Sequence, residues 1–198
     1  MINDLFCDIS DKLMSTGYFD TVYEYCEIIK RTDGTLRPMY YKGLKAGYVD
    51  VQNFDKNGIA YIRKRGNVSV QVDRNATRLT SCTDMVQMIT ATFPLRLVVA
   101  VPKSHLEDSP LVDDIVAAEL IGVLQSDMQS TATLINAVSV VCAVSAYDTD
   151  SVTIWEAENK GVLLDETKVY RFAYVAIDFN CEIKGDVTCL QNCLKNEY

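Results

Sequence analysis

An α+β domain, built on a mainly antiparallel β-sheet packed with a long helix plus a short N-terminal helix, is what the sequence predicts. Three observations lead there. Apolar residues recur with the helical period near the N-terminus and again around residue 115. Residues 85–101 and 168–184 alternate with the period of a strand. The order is helix, several strands, helix, then long strands, which suits an antiparallel sheet.

Residues 2–14 place Ile2, Leu5, Phe6, Ile9 and Leu13 on one stripe, with Asp4, Asp8, Asp11 and Lys12 between them. Gly17, soon after Met14, can stop this helix. Thr21–Ile29 is rich in β-branched and aromatic residues and predicts a strand, which the Asp33-Gly34 turn returns into Arg37–Lys42. Turn signals at Asp55–Gly58 and Gly66-Asn67 set off short strands at Ile59–Arg63 and Val68–Val72. Along 85–101, Ile89, Ala91, Phe93, Leu95, Leu97, Val99 and Val101 share one parity, so one face is continuously apolar. Pro94 has no N–H to donate, so the segment lies at a sheet edge there or divides into two strands near Phe93.

Ser109-Pro110 starts the second helix, with a capping Ser, a Pro suited to the first turn, and Asp113 and Asp114 at the positive end of the dipole. It runs to about Gln125. Its Leu111, Val112, Ile115, Val116, Leu120, Ile121, Val123 and Leu124 take up more than half the circumference, which requires cover on more than one side. Residues 130–147 fit a helix or a strand. Asp148-Thr149-Asp150 reads as a turn, followed by a strand at Val152–Ala157 and a loop through Asn159-Lys160-Gly161. In the last strand, Lys168–Lys184, one parity holds Val169, Ala173, Val175, Ile177, Phe179, Cys181 and Ile183, interrupted only by Arg171. Unbroken, it would span roughly 55 Å at about 3.3 Å per residue. Strands average about five or six residues, so this one must pair with several neighbours in turn or reach beyond its own domain.

The 198 residues carry a net charge of −8, with 48% hydrophobic and 23% charged residues, an ordinary globular balance. With 4 Pro and 9 Gly no linker is visible, so one domain over 1–198 is expected, its core being 1–185 and its tail, 186–198, able to form a terminal helix. The longest apolar stretches, Leu97–Val101 and Val138–Ala146, fall short of the roughly 20 residues that cross a bilayer, so no membrane crossing is expected. The acidic N-terminus lacks the marks of a secretory leader and points to a cytosolic origin. Cys7, Cys26, Cys82, Cys142, Cys181, Cys189 and Cys193 are dispersed and read as free thiols, mostly buried, of a reducing compartment. One histidine, His105, and no CxxC pair argue against a metal site, although Cys189 and Cys193 are spaced to share a helix face.

No GxGxxG, GxxxxGK[ST] or GxSxG occurs, which disfavours nucleotide chemistry and a serine triad; no cofactor is expected. Acidic pairs at Glu107/Asp108, Asp113/Asp114 and Asp148/Asp150 have the chemistry for acid/base work or cation binding, but helix-terminal charge accounts for the first two and a turn for the third. Eleven tyrosines, among them Tyr23/Tyr25, Tyr40/Tyr41 and Tyr170/Tyr174, suit a sheet or a protein interface equally. Charge is uneven. Residues 81–198 hold the acidity, whereas Lys56, Arg63, Lys64, Arg65, Arg74 and Arg78 outnumber Asp55 and Asp73 in one segment. That segment reads as a solvated loop, or as a contact for nucleic acid or an acidic partner surface; the acidic chain as a whole is a poor generic DNA binder.

The N-terminal helix Ile2–Leu13, the β region with its partly basic loop Asp55–Arg65, the strand ending at Leu95–Pro102, the helix Ser109–Gln125 and the closing strand Lys168–Lys184 come in a recognisable order. Over residues 1–185 it resembles the tail-terminator and tail-completion proteins of tailed bacteriophages, and the related neck-ring proteins between portal and tail. The resemblance implies a virion component without catalytic residues, assembled in the host cytoplasm, that closes a six- or twelve-fold homo-oligomeric ring around the genome channel. Portal, neck or tail proteins would be its neighbours, and contact with genomic DNA would be non-specific. Lys56, Arg63, Lys64 and Arg65 are then expected at the channel wall or a subunit interface, since a basic segment and an acidic remainder suit head-to-tail contact. The long last strand is expected to add to a neighbour's sheet. Two other functions stay open: a monomeric cytosolic enzyme or ligand-binding domain using carboxylates near Asp148 and Asp150, and an adaptor that binds another protein through a Tyr-rich surface.

Overall fold

The computed structural model describes residues 2–42, 44, 46–51, 58–79, 85–106, 111–134 and 137–186. The elements run α1 (Ile2–Met14), β1 (Thr21–Lys30), β2 (Leu36–Tyr41), β3 (Tyr48–Asp50), β4 (Ile59–Lys64), β5 (Ser69–Leu79), β6 (Met85–Pro102), α2 (Val112–Leu124), α3 (Gln129–Leu134), β7 (Ser139–Asp148), α4 (Ser151–Glu158), α5 (Glu166–Arg171) and β8 (Phe172–Asp186). All the strands join one sheet in the order β3-β2-β1-β4-β6-β8-β7, with β5 pairing β6 off this path. Among the described strands only β1 with β4 is parallel. The fold is therefore α+β, with a mixed, mostly antiparallel sheet.

Alternation divides each strand between two faces. On one face, Ala91, Phe93, Leu95, Leu97, Val99 and Val101 of β6 and Val175, Ile177, Phe179, Cys181 and Ile183 of β8 are buried with Leu5, Phe6, Ile9 and Leu13 of α1 and Val116, Ala117, Leu120 and Leu124 of α2. The apolar parities read from the sequence are this core. On the other face a smaller core gathers Tyr61, Val98, Ala100, Phe172, Tyr174 and Ala176 under Ile154 and Trp155 of α4 and Val169 of α5. Cys26, Cys142 and Cys181 are buried free thiols, and Cys7 is exposed.

Pro94 does not break β6. Its carbonyl accepts from the Arg65 N–H at 2.9 Å, and the N–H and C=O of a strand residue point the same way. The missing donor is thus aimed at the gap where β4 ends, at Lys64↔Leu95, and β5 begins, at Ser69↔Thr92. The expected division is a change of neighbour.

Three other expectations are corrected. The strand expected at Val152–Ala157 is the helix α4, because the Asp150 side chain accepts from the Thr153 N–H at 2.8 Å and caps a turn that puts Ile154, Trp155 and Glu158 in the interior. Residues 168–171 belong to α5, capped by Asp165 at the Lys168 N–H, and the strand begins only at Phe172. Arg171, the residue that broke the parity, is helical. Finally, β8 lies between β6, paired from Met88↔Asp186 to Pro102↔Phe172, and β7, paired from Ser139↔Lys184 to Asp148↔Ala176, so over Ala176–Lys184 both its edges are taken and it is a central strand. The ambiguous stretch 130–147 resolves into the end of α3 followed by β7. α2 starts after Leu111 with no side-chain cap. Ser109, Pro110, Lys56, Cys82, Cys189, Cys193 and the tail 187–198 lie outside the described residues. No described helix is long and apolar enough to cross a membrane.

Candidate functional site

The richest polar arrangement follows from strand register. Arg63 of β4 stands opposite Arg96 of β6, and Arg96 opposite Asp178 of β8, so the three side chains share one face in a row across the sheet. Two arginines directly opposite repel. The last turn of α4 lowers Glu158, only 1% exposed, between them. Arg63 grips both Glu158 oxygens, from Nε at 2.9 Å and from Nη2 at 2.7 Å. Tyr61 donates its hydroxyl to Glu158 Oε2 at 3.1 Å, and Arg96 Nη1 stands 3.5 Å from Oε1. Arg96 in turn donates from Nε and Nη2 to the two Asp178 oxygens at 2.6 and 2.9 Å. Arg65 Nη1 reaches Asp178 Oδ2 at 2.6 Å.

Three guanidiniums thus share two carboxylates in a half-dry setting where bidentate pairing is strong. Burial pushes the Asp178 carboxyl up, but the bonds from Arg96 and Arg65 outweigh it and hold the group below the usual carboxylate range. The Asp178 bond raises Arg96 further, so that guanidinium stays charged. Burial, and then the Glu158 charge, keep Tyr61 well above its usual value. Through these ion pairs and the Tyr61 hydrogen bond the network holds α4 to the sheet.

Arg63 and Arg65 are therefore brought together, but around internal carboxylates. Lys64, between them in sequence, points to the opposite face, with its Nζ 5.7 Å from the centre of the Tyr25 ring. Arg63 and Lys64, consecutive in β4, face opposite ways, and Arg65 follows just after the strand. Lys56 lies outside the described residues. Arg96, Glu158 and Asp178 complete the network and were not singled out from sequence. The available signal was a charge at Arg96 and at Asp178 inside otherwise apolar strands.

Of the other acidic candidates, Glu107 and Asp108 lie outside the described residues, and Asp150, Asp148 and Asp113 have local partners. Asp150 caps α4, and Asp148 accepts from the Asp150 N–H at 2.9 Å. Asp113 faces Lys103 at 4.0 Å, and burial raises its carboxyl. Among the described residues no group of three or more His, Cys, Asp or Glu is placed to hold a metal ion. A cleft of about 210 Å³ lies where β6 ends and β8 begins, with Lys103, Ser104 and Arg171 in its wall. Of the tyrosines, Tyr23/Tyr40 and Tyr41/Tyr48 meet across neighbouring strands as tilted rings, each pair with centroids 5.2 Å apart, while Tyr170 is exposed.

Among the described residues, large apolar side chains are exposed in several places. Leu111, just before α2, and Ile115 are 60% and 53% exposed, and Ala118 and Gly122 continue the same outward row. On one edge of the sheet Val70 and Val72 of β5 are exposed, and on the opposite edge Val138 and, within β7, Val141. Neither a scan against protein-family models nor a search of curated proteins finds a match to this chain.

Proposed function

We propose that the chain is a non-enzymatic structural subunit of a tailed-bacteriophage virion, closing a six- or twelve-fold ring around the DNA channel in the neck or at the tail end. The observation that carries this reading is the outward row of α2. The helix is apolar around most of its circumference; the body of the protein buries Val116, Ala117, Leu120 and Leu124 and partly covers Ile121 and Val123, leaving Ile115, and Leu111 just before the helix, exposed beside the small Ala118 and Gly122. An apolar row of this kind gains by being covered, and a ring supplies a second copy at every position. In this reading α2 is the long packing helix of the fold.

Assembly then rests on apolar surface, because Arg63 and Arg65 are engaged internally. Lys56 and Lys64 keep the proposed place at the channel wall or a subunit contact, where binding to genomic DNA would be non-specific and salt-dependent. Portal, neck or tail proteins would be the neighbours. The subunit would be made in the host cytoplasm and reside in the virion.

Light scattering on the purified chain, over concentration and salt, with negative-stain images of any large species, tests the reading. Six- or twelve-subunit annuli support it, above all if Ile115→Glu abolishes them while leaving the melting temperature unchanged. A wild-type chain that is monomeric under every condition counts against it. No observation favours a ligand site at Asp148 and Asp150, whose carboxylates serve a turn and a helix cap.

A further inference from the structure

We infer that Cys142 of β7 and Cys181 of β8 are a latent cross-strand disulfide, kept as two thiols in a reducing compartment and closed by exchange with a small disulfide in an oxidising one, which then bolts the outer strand to the sheet. The chemistry does not depend on the ring reading. Its ground is register. Cys142 and Cys181 are direct partners in the antiparallel ladder of β7 and β8. Residues so opposed have Cα atoms about 4.5–5.5 Å apart, and a disulfide needs about 4.4–6.8 Å. Opposed side chains also leave the sheet on the same face. Both cysteines accordingly lie in one core, 5% and 0% exposed. A hydrogen bond joins the two thiols, and Cys142 donates to Met128 Sδ at 3.7 Å. Among the described cysteines no other two are strand partners, since Cys26 is opposite Tyr40 and Arg63 and Cys7 belongs to α1.

The bond from Cys142, and then burial, push the Cys181 thiol well above its usual value. Thiolate, the attacking form, is therefore scarce while the sheet is closed, and the pair reacts as β7 opens. Opening is easiest there, because among the described strands β7 pairs with β8 alone. Cys142, the more exposed of the two, attacks one sulfur of a small disulfide RSSR. The RS–SR bond breaks, a Cys142–SR bond forms, and one RSH leaves with the proton that Cys142 gave up. As the strand recloses, Cys181 attacks the Cys142 sulfur; the mixed disulfide breaks, the Cys142–Cys181 bond forms, and a second RSH leaves with the Cys181 proton. Two electrons and two protons have passed from the protein thiols to RSSR. The new bond closes a loop of about 40 residues that carries α4 and α5, so it restricts the unfolded chain and stops β7 from peeling away. A virion subunit with this device assembles in the thiol form inside the host and is locked after release.

The test exposes the purified chain to hydroxyethyl disulfide under native conditions, alkylates the remaining thiols and digests with trypsin in the absence of reductant. Trypsin leaves Cys142 as the one cysteine of Ser104–Lys160 and Cys181 as the one cysteine of Phe172–Lys184, so their linkage is read directly. The expected result is these two peptides joined, with a melting temperature raised by about 5–15 °C and returned to its starting value by dithiothreitol. Cys142→Ala abolishes both the linkage and the rise, and Cys181→Ala does the same from the other strand. Melting of each variant with reductant verifies its fold, and either variant suffices if the other unfolds. Wild-type peptides that stay separate after prolonged exposure overturn the inference. So do a linkage that forms only in unfolding concentrations of urea, a bond from either cysteine to a different one, and a linkage that leaves the melting temperature where it was.

Discussion

Glu158 is a buried charge held by Arg63, Tyr61 and Arg96 at once. Removing one partner of such a pair strands the others, so Glu158→Ala is expected to lower unfolding free energy by about 3 kcal/mol in urea titrations. Replacing Arg63 and Glu158 together by Met and Leu should cost less than the sum of the single changes, which a double-mutant cycle would show. Asp178 gives the network its acid sensitivity. Its carboxyl is depressed in the folded state, so between the folded value and the unfolded one of about 3.9 the unfolded chain binds more protons. Its contribution is therefore present above that unfolded value and lost as pH falls through the folded one. Asp178→Asn should flatten this part of the stability profile, measured by melting from pH 6 down to about 2.5. None of these partnerships could be read from sequence, because a charge in an apolar strand gives no hint of which strand lies beside it. Register decides that, and register is a property of the folded sheet.

The two apolar faces of β6 and β8 could be read in advance, because burial on one side of a strand writes an alternation that no local signal contradicts. At α4 two local signals conflicted. Val152 and Ile154 alternate and are β-branched, yet Asp150 stands where a helix cap belongs, and the cap prevailed. Asp150→Ala should lower the melting temperature by a few degrees, and Asp150→Asn, which keeps a capping oxygen, should nearly restore it. α2 offers a sharper contrast. Leu120 is fully buried and Ile115 half-exposed on the same helix, so Leu120→Ala should cost about 2–5 kcal/mol in chemical denaturation. Ile115→Ala should stay within about 0.5 kcal/mol, its effect appearing in association instead.

For the assembled particle, the basic segment divides into residues with different duties. Reversing Arg63 should unfold the protein or lower its melting point steeply, since it sets a like charge against buried Glu158. Lys64→Glu should keep the fold and act, if at all, on assembly or genome retention; circular dichroism beside particle titres separates the two. A composition count treats these neighbours alike, and only the alternation of β4 tells them apart.

The pairing of β6 with β8 also governs when the protein can come into being. Its register joins Met88 to Asp186 and Pro102 to Phe172, so one central strand waits for another made some seventy residues later. While the chain emerges from the ribosome, β1 to β4 have partners, but β6 holds a continuous apolar face with no strand to close its far side. Such non-local pairing is slow and leaves sticky edges exposed. Folding of the sheet is therefore completed only after β8 has been made, and the exposed apolar face of β6 has to be kept from other chains until then.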